Sequence, residues 1–304
     1  KIKQKCYMKI FDCFMYFDED IVLDVRLNFL NNYVDKFVIV ESIFNHKGEK
    51  RKPQFNISKY SKFKDKIIYI LKDDIPEDIE KIEKSDDHKE VYRKSILNAG
   101  KRENLQRNNI LDGLKDINQN DWVIISDLDE IPNLEKVNLK NINDRIVLFQ
   151  QDMMYYKFNL KLDNFRWIGS KACKFKFLKS PQWLRDIKNR KFKWWRIDAL
   201  FSKRKYQNLK IINNGGWHFS YLKTPEAIEK KLKSYLHHID YDIDPIGINR
   251  IKKIVEDKKA IYDLKADQRQ SKFNAQNELI KIDNNLLPSY ILENMDKFED
   301  WIEK

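Results

Sequence analysis

Trp122-Val123-Ile124-Ile125-Ser126-Asp127-Leu128-Asp129-Glu130-Ile131-Pro132 joins an apolar, β-branched run to three carboxylates within four residues. The run is short and apolar up to Ser126, which predicts a buried strand. Like charges this close raise one another's pKa unless a cation neutralises them, so the cluster points to a divalent ion. Hard oxygen donors from Asp127 and Asp129 suit Mn²⁺ or Mg²⁺, which keep positions open for substrate phosphates. The alternation of an Asp-x-Asp strand end aims both acids the same way, and a capped turn is the structural alternative.

Upstream, strands alternate with helices. Met8–Phe14 reads as a buried strand, and Asp18 or Asp20 can cap a helix over 20–34 with Val22, Val25 and Phe29 on one stripe. Phe37–Glu41 is a second strand, ending in a carboxylate, and Lys66–Leu71 a third. The charged stretch Lys72–Glu90 has helical spacing at Ile75, Ile79 and Ile82. Over Lys101–Leu114 an amphipathic helix places Leu105, Ile110, Leu111 and Leu114 on one face, with Arg102, Gln106 and Arg107 on another. The alternation predicts an α/β fold with a mainly parallel central sheet flanked by helices, its ligands bound beyond the carboxyl ends of the strands. Glu41 and the acids at 127–130 occupy such ends.

Downstream the pattern changes to aromatic, alternating strands over 146–162 and 166–177 and a segment ending at Gly215-Gly216-Trp217-His218-Phe219-Ser220. Thr224-Pro225-Glu226 starts a helix, with a capping hydroxyl, a proline in the first turn and an acid at the positive end of the dipole. Helices are expected over about 225–239 and 246–264 and from Pro288-Ser289. No repeat or Gly/Ser linker interrupts the chain, so residues 1–132, 133–223 and a helical C-terminal region at 224–304 read as parts of one body.

Composition narrows the function classes. The 304 residues carry 59 Lys+Arg against 47 Asp+Glu, a net +12, and 42% are hydrophobic, enough for a packed core. Seven glycines, none in GxGxxG or GxxxxGK[ST] spacing, argue against dinucleotide-binding and P-loop chemistry. Cys6, Cys13 and Cys173 are an odd number without CxxC spacing, which argues against a disulfide framework or zinc site and fits a reducing compartment. There the Asn56-Ile57-Ser58 sequon is without meaning. No apolar run approaches the ~18 residues of a membrane span, and KIKQKCYMKI has no signal-peptide core. The expectation is a soluble, cytoplasmic protein without a transmembrane segment, membrane association being limited to peripheral contact. The lysines are scattered, a solvated surface and no footprint of specific nucleic-acid binding.

The stretch Ser126–Pro132 resembles the SDxDEIP motif of glycosyltransferase family 17. The agreement extends in order along the chain: Phe11-Asp12-Cys13-Phe14, Val25-Arg26-Leu27, Phe37–Glu41 with Gly48, Arg102-Glu103, Gln106-Arg107 and Gly113-Leu114 before the acids. Gly215–Tyr221, Lys231, Ser234 and His237 follow them. The resemblance implies a GT-A-type fold, a UDP-sugar donor, most simply UDP-GlcNAc, and inverting transfer to a glycan acceptor. In that frame Asp129 is the direct metal ligand, Asp127 contacts the metal or the donor ribose, and His218, after a glycine pair that lets backbone approach a ligand, is a third ligand.

The acceptor's general base is sought among Glu130, Asp152 and Asp198, with Asp152 preferred for its strand after the acidic motif. Glu41 serves the nucleoside or fixes a loop, and Arg102 and Arg107 serve the diphosphate or brace acids. Lys231 joins the donor site through the family's helix, and Trp167, Trp183, Trp194, Trp195 and Trp217 are candidates for stacking on sugars. Lys188–Trp195 (KNRKFKWW) reads as an exposed basic loop facing an anionic acceptor. A haloacid-dehalogenase-type phosphotransferase also places Asp-x-Asp after a strand, but expects Thr or Val where Ile131 stands and the motif on its first strand. A basic nucleic-acid-binding module lacks a recognition motif.

Overall fold

The computed structural model describes residues 7–193, 195–235, 238–262, 272–273 and 277–304; Cys6, Trp194 and His237 lie outside the described residues. In the first half, strands β1 (Ile10–Tyr16), β2 (Lys36–Ser42), β3 (Ile67–Lys72) and β4 (Trp122–Asp127) alternate with helices α1 (Asp20–Leu30) and α2 (His88–Asn108). The four strands are parallel, in the order β3-β2-β1-β4. Apolar residues on both faces of β1, β2 and β4 are covered, which is why their sequences read as continuous apolar runs. α1 starts after Glu19 rather than at a capping aspartate: Asp20 accepts instead from the Tyr16 hydroxyl (2.5 Å) and the Lys59 ammonium (2.7 Å). Residues 73–87 form no helix, and Ile75 and Ile82, which would be its apolar stripe, stay 55% and 46% exposed. The helix begins at His88, where the Asp87 carboxylate accepts from Glu90 N (2.8 Å).

The second half holds β5 (Glu130–Pro132), β6 (Ile146–Tyr155), β7 (Leu160–Lys174), α3 (Pro181–Asp186), α4 (Ile197–Leu200), β8 (Leu209–Ile212) and β9 (Gly216–Ser220). The sheet continues as β4-β7-β6-β9-β5. Here the expectation of a mainly parallel sheet fails. β7 is antiparallel to both β4 and β6, and β5 is antiparallel to β9, so the ten-stranded sheet is mixed. Only four residues join β6 to β7, too few for the crossover a parallel pair needs.

The C-terminal region carries α5 (Pro225–Leu232), capped by Thr224 as expected, α6 (His238–Ile243), α7 (Gly247–Glu256) and α8 (Ser289–Leu292). It is not wholly helical: β10 (Leu279–Lys281) adds an antiparallel strand to β7. Among the described residues no helix is long and apolar enough to cross a membrane.

Candidate active site

The site begins with two charges inside an apolar core. Asp12 on β1 and Arg26 on α1 are both fully buried and joined by two hydrogen bonds of 2.6 and 2.8 Å. The remaining Arg26 nitrogen, Nη1, donates to the carbonyls of Asp127 (3.1 Å), Leu128 (3.0 Å) and Glu130 (2.7 Å). A buried ion pair is tolerated only when its remaining donors are satisfied, and here the acidic turn satisfies them. From the other side Glu130, fully buried, accepts from Asp127 N (2.9 Å), Trp167 Nε1 (2.6 Å) and Arg185 (2.6 and 3.0 Å). Leu128 and Asp129 therefore form a pinned turn between the last residue of β4 and the first of β5, not a continued strand.

This turn sends its two aspartates to different partners. Asp127 accepts from Arg107 (3.1 Å) on Oδ1 and from Arg185 (2.9 Å) on Oδ2. Burial opposes its ionisation, but the two guanidiniums outweigh burial and hold the carboxyl below its ordinary pKa. Asp129 lies 3.4 Å from His218 Nε2 and 3.6 Å from Lys231 Nζ. Again burial opposes ionisation, and again the neighbouring His218 and Lys231 prevail and lower the carboxyl pKa. Reciprocally, burial favours a neutral His218, but Asp129 raises its pKa above the ordinary value. The charge crowding that suggested a metal is thus already relieved by four side chains of the chain itself.

Both aspartates open on a cleft of about 350 Å³ at the carboxyl ends of β1, β2 and β4. Met153 and Tyr155 of β6, paired in register with His218 and Ser220 of β9, form another wall; Lys231 and Tyr235 reach it from α5 and just beyond. Ionised acids, a lysine, a histidine and aromatic faces in one concavity suit a ligand with anionic and apolar parts.

The sequence matches the family described as Glycosyltransferase family 17 over residues 1–302. The chain belongs to glycosyltransferase family 17. It is a glycosyltransferase, acting on a donor and an acceptor, and the phosphotransferase and nucleic-acid readings give way. A comparison with curated proteins found no match.

Of the residues expected in this family 17 site, the structure brings Asp127, Asp129, His218, Lys231 and Trp167 to the cleft. Asp152 is not there. Side chains alternate along β6, so Met153 and Tyr155 take the cleft face, and Asp152 pairs with Arg166 and with Lys161 (3.4 Å). Glu130 spends its oxygens on the turn and is not free to act as a base. Asp198 is tied to Arg196 and Lys205 on the exposed segment before β8. Trp217 also falls on the wrong parity: it packs in the core against Phe29 and donates to the Leu286 carbonyl.

Glu41 is fully buried and accepts from Arg51 (2.9 Å), Gln54 N (2.7 Å), Phe55 N (3.1 Å) and the Tyr69 hydroxyl (2.8 Å), which makes it the loop-fixing residue. Arg102 donates to the His46 carbonyl (3.1 Å) beneath Gly48, outside the cleft wall. Arg107 braces acids, bonding Glu103 (2.6 Å) as well as Asp127. Trp183 packs on Tyr206, and Trp195 is 55% exposed. Nor does the glycine pair admit a ligand. Gly216, at φ +134°, passes so close to β5 that an added Cβ would lie 2.0 Å from the Ile131 carbonyl oxygen.

Of the three residues expected as metal ligands, Asp129 and His218 lie together and Asp127 stands apart. Among the described residues no three His, Cys, Asp or Glu side chains converge on a common point. Asp127 stays with its arginines, while Asp129 and His218 pair, with His218 Nδ1 buried and unpartnered. Mg²⁺ and Mn²⁺ commonly use one or two protein ligands and complete their shell with phosphate and water, so the pair fits such an ion and the trio does not.

Sequence reasoning missed Arg185 and assigned no role to Asp12 or Arg26. For the latter two a signal existed: an acid inside the apolar run IFDCF and a base inside VRLNFL. Arg185 offers none, since its partners lie 55 and 58 residues away.

Proposed function

We propose that the cleft binds a UDP-sugar and that the protein transfers N-acetylglucosamine from it, with inversion, to a hydroxyl of a glycan acceptor, on a fold of the GT-A type. The observation that carries this reading is the Asp129–His218–Lys231 cluster at the carboxyl ends of parallel strands, where a diphosphate meets a cation and a two-donor metal position together. Mn²⁺ or Mg²⁺ held by Asp129 and His218 would supply Lewis-acid stabilisation of the leaving diphosphate. Lys231, kept charged by Asp129 and by Glu19 at 3.5 Å, is placed to share that negative charge.

Asp127, oriented by two arginines, offers its carboxylate to ribose hydroxyls. Trp167, part-buried at the cleft wall, is the aromatic side chain on which a sugar ring would pack. Among the described residues, four carboxylates line the cleft: Glu19, Glu103, Asp127 and Asp129. Glu19 has the loosest tie to a cation and is our choice as the acceptor's base. The buried, unpaired Cys13 and Cys173 favour a reducing compartment such as the cytoplasm.

The test is thermal stabilisation by nucleotide sugars with and without Mn²⁺. UDP-GlcNAc with Mn²⁺ at about 100 times Kd should add about 2.7 kcal/mol, much less with EDTA, and far less in Asp129→Asn. Stabilisation by GDP- or CMP-sugars instead would refute the donor. Unchanged Mn²⁺ affinity in Asp129→Asn, measured by calorimetry with UDP present, would refute the metal position.

A further inference from the structure

Between α3 and β8 the chain makes an excursion, residues 188–205, to which the proposed transfer assigns no role. Its sequence carries eight lysines and arginines against the single Asp198, so +7 of the chain's +12 lies in these residues. Its base is closed by backbone hydrogen bonds from Lys188 N to the Arg204 carbonyl (2.9 Å) and from Phe192 N to the Tyr206 carbonyl (3.2 Å). Phe192 anchors it, only 4% exposed, with the cations of Arg190 and Lys205 over its ring. At the far end the chemistry inverts. Trp195, Ile197 and Phe201 are 55%, 69% and 85% exposed within seven residues, a cluster of large apolar side chains presented to solvent rather than to the core.

We propose that this excursion docks the protein on the surface of an anionic lipid bilayer. An anionic surface complements the +7 charge, and clusters of four to eight Lys/Arg beside apolar side chains are the composition of interfacial membrane contacts. A soluble polyanion such as nucleic acid would satisfy the cations but leave Ile197 and Phe201 in water. A bilayer interface takes both, headgroups against the ammonium and guanidinium groups and the acyl boundary against the apolar tips. The excursion starts beside the cleft, since Trp167 lines the cleft and also a neighbouring hollow with Arg185, Lys188 and Asn189. Docking there would hold the cleft near a membrane surface. The inference stands independently of donor and metal, because lipid binding is read without any transfer.

The experiment is co-sedimentation of the full chain with vesicles of phosphatidylcholine containing about 30% phosphatidylglycerol, against phosphatidylcholine alone, at about 0.1 M salt. Binding is expected on the anionic vesicles only, weakening more than about tenfold at 0.5 M salt. Lys191→Ser with Lys203→Ser, two exposed positions, should weaken it by about fivefold per cation. Ile197→Ser with Phe201→Ser should weaken vesicle binding by about tenfold or more while leaving retention on heparin unchanged. Failure to bind anionic vesicles would overturn the proposal. So would full vesicle binding by the Ile197/Phe201 variant with loss in the lysine variant, which would assign the excursion to a soluble polyanion.

Discussion

Removing the Arg185 guanidinium, as Arg185→Met, isolates the strut on which the acidic turn rests. Arg185 bonds Glu130 twice (2.6 and 3.0 Å) and Asp127 once (2.9 Å), and its side chain is 12% exposed. In the variant Glu130, fully buried, keeps among the described residues Trp167 Nε1 and Asp127 N as donors and no ion pair. Breaking a buried pair from one side costs about 3–5 kcal/mol, because the surviving charge stays desolvated. Asp127 adds little, since it retains Arg107 and its side chain is 36% exposed. At roughly 2–4 °C per kcal/mol for a chain of this size, the melting temperature should fall by on the order of 10 °C.

The same reasoning makes the loss conditional on charge. Adding Glu130→Gln to Arg185→Met removes the orphaned carboxylate and should recover about 1–3 kcal/mol, a coupling read from a double-mutant cycle by urea or thermal unfolding. A loss under about 1 kcal/mol in Arg185→Met, or strict additivity with Glu130→Gln, would refute the account. Either result would mean that Arg26 and the other hydrogen bonds hold the turn without Arg185.

Glu41→Gln should cost about 2–3 kcal/mol while leaving UDP affinity within a factor of about two, because its four hydrogen bonds all go to the protein; a selective loss of UDP affinity would make it a nucleoside contact. Asp152→Asn should leave kcat within about threefold of wild type, whereas Glu19→Gln should lower kcat by about a hundredfold or more at unchanged donor affinity. The reverse ranking would return the base to β6. Burial, with the nearby Arg185 charge, pushes the Lys171 ammonium down to about 7. The unfolded chain holds that proton to about 10.4, so between these values it binds more protons than the folded chain and stability rises with pH. Lys171→Met should flatten that slope by up to about 1.4 kcal/mol per pH unit, and equal slopes in unfolding titrations would show that Lys171 stays charged.

What the sequence determined by itself lies in its local patterns. Largely apolar runs at β1, β2 and β4 identified buried parallel strands, because a strand covered on both faces has no solvent-facing side to fill with alternating polar residues. Three carboxylates after one such strand marked the ligand end of the sheet, and ordered agreement from Phe11 to Tyr221 pointed to the family. Tertiary structure decided the rest. Mixed strand order follows from the tight β6–β7 connection, whose length is visible in sequence only once both strand ends are known. Parity decided Asp152 and Trp217, since a one-residue difference in which face a strand buries moves a side chain from cleft to core or rim. Partners far apart in sequence decided the acids: Arg107, Arg185, Lys231 and His218 stand 20, 58, 102 and 89 residues from the aspartates they neutralise, so crowding that in sequence called for a metal is met in space by the chain's own cations.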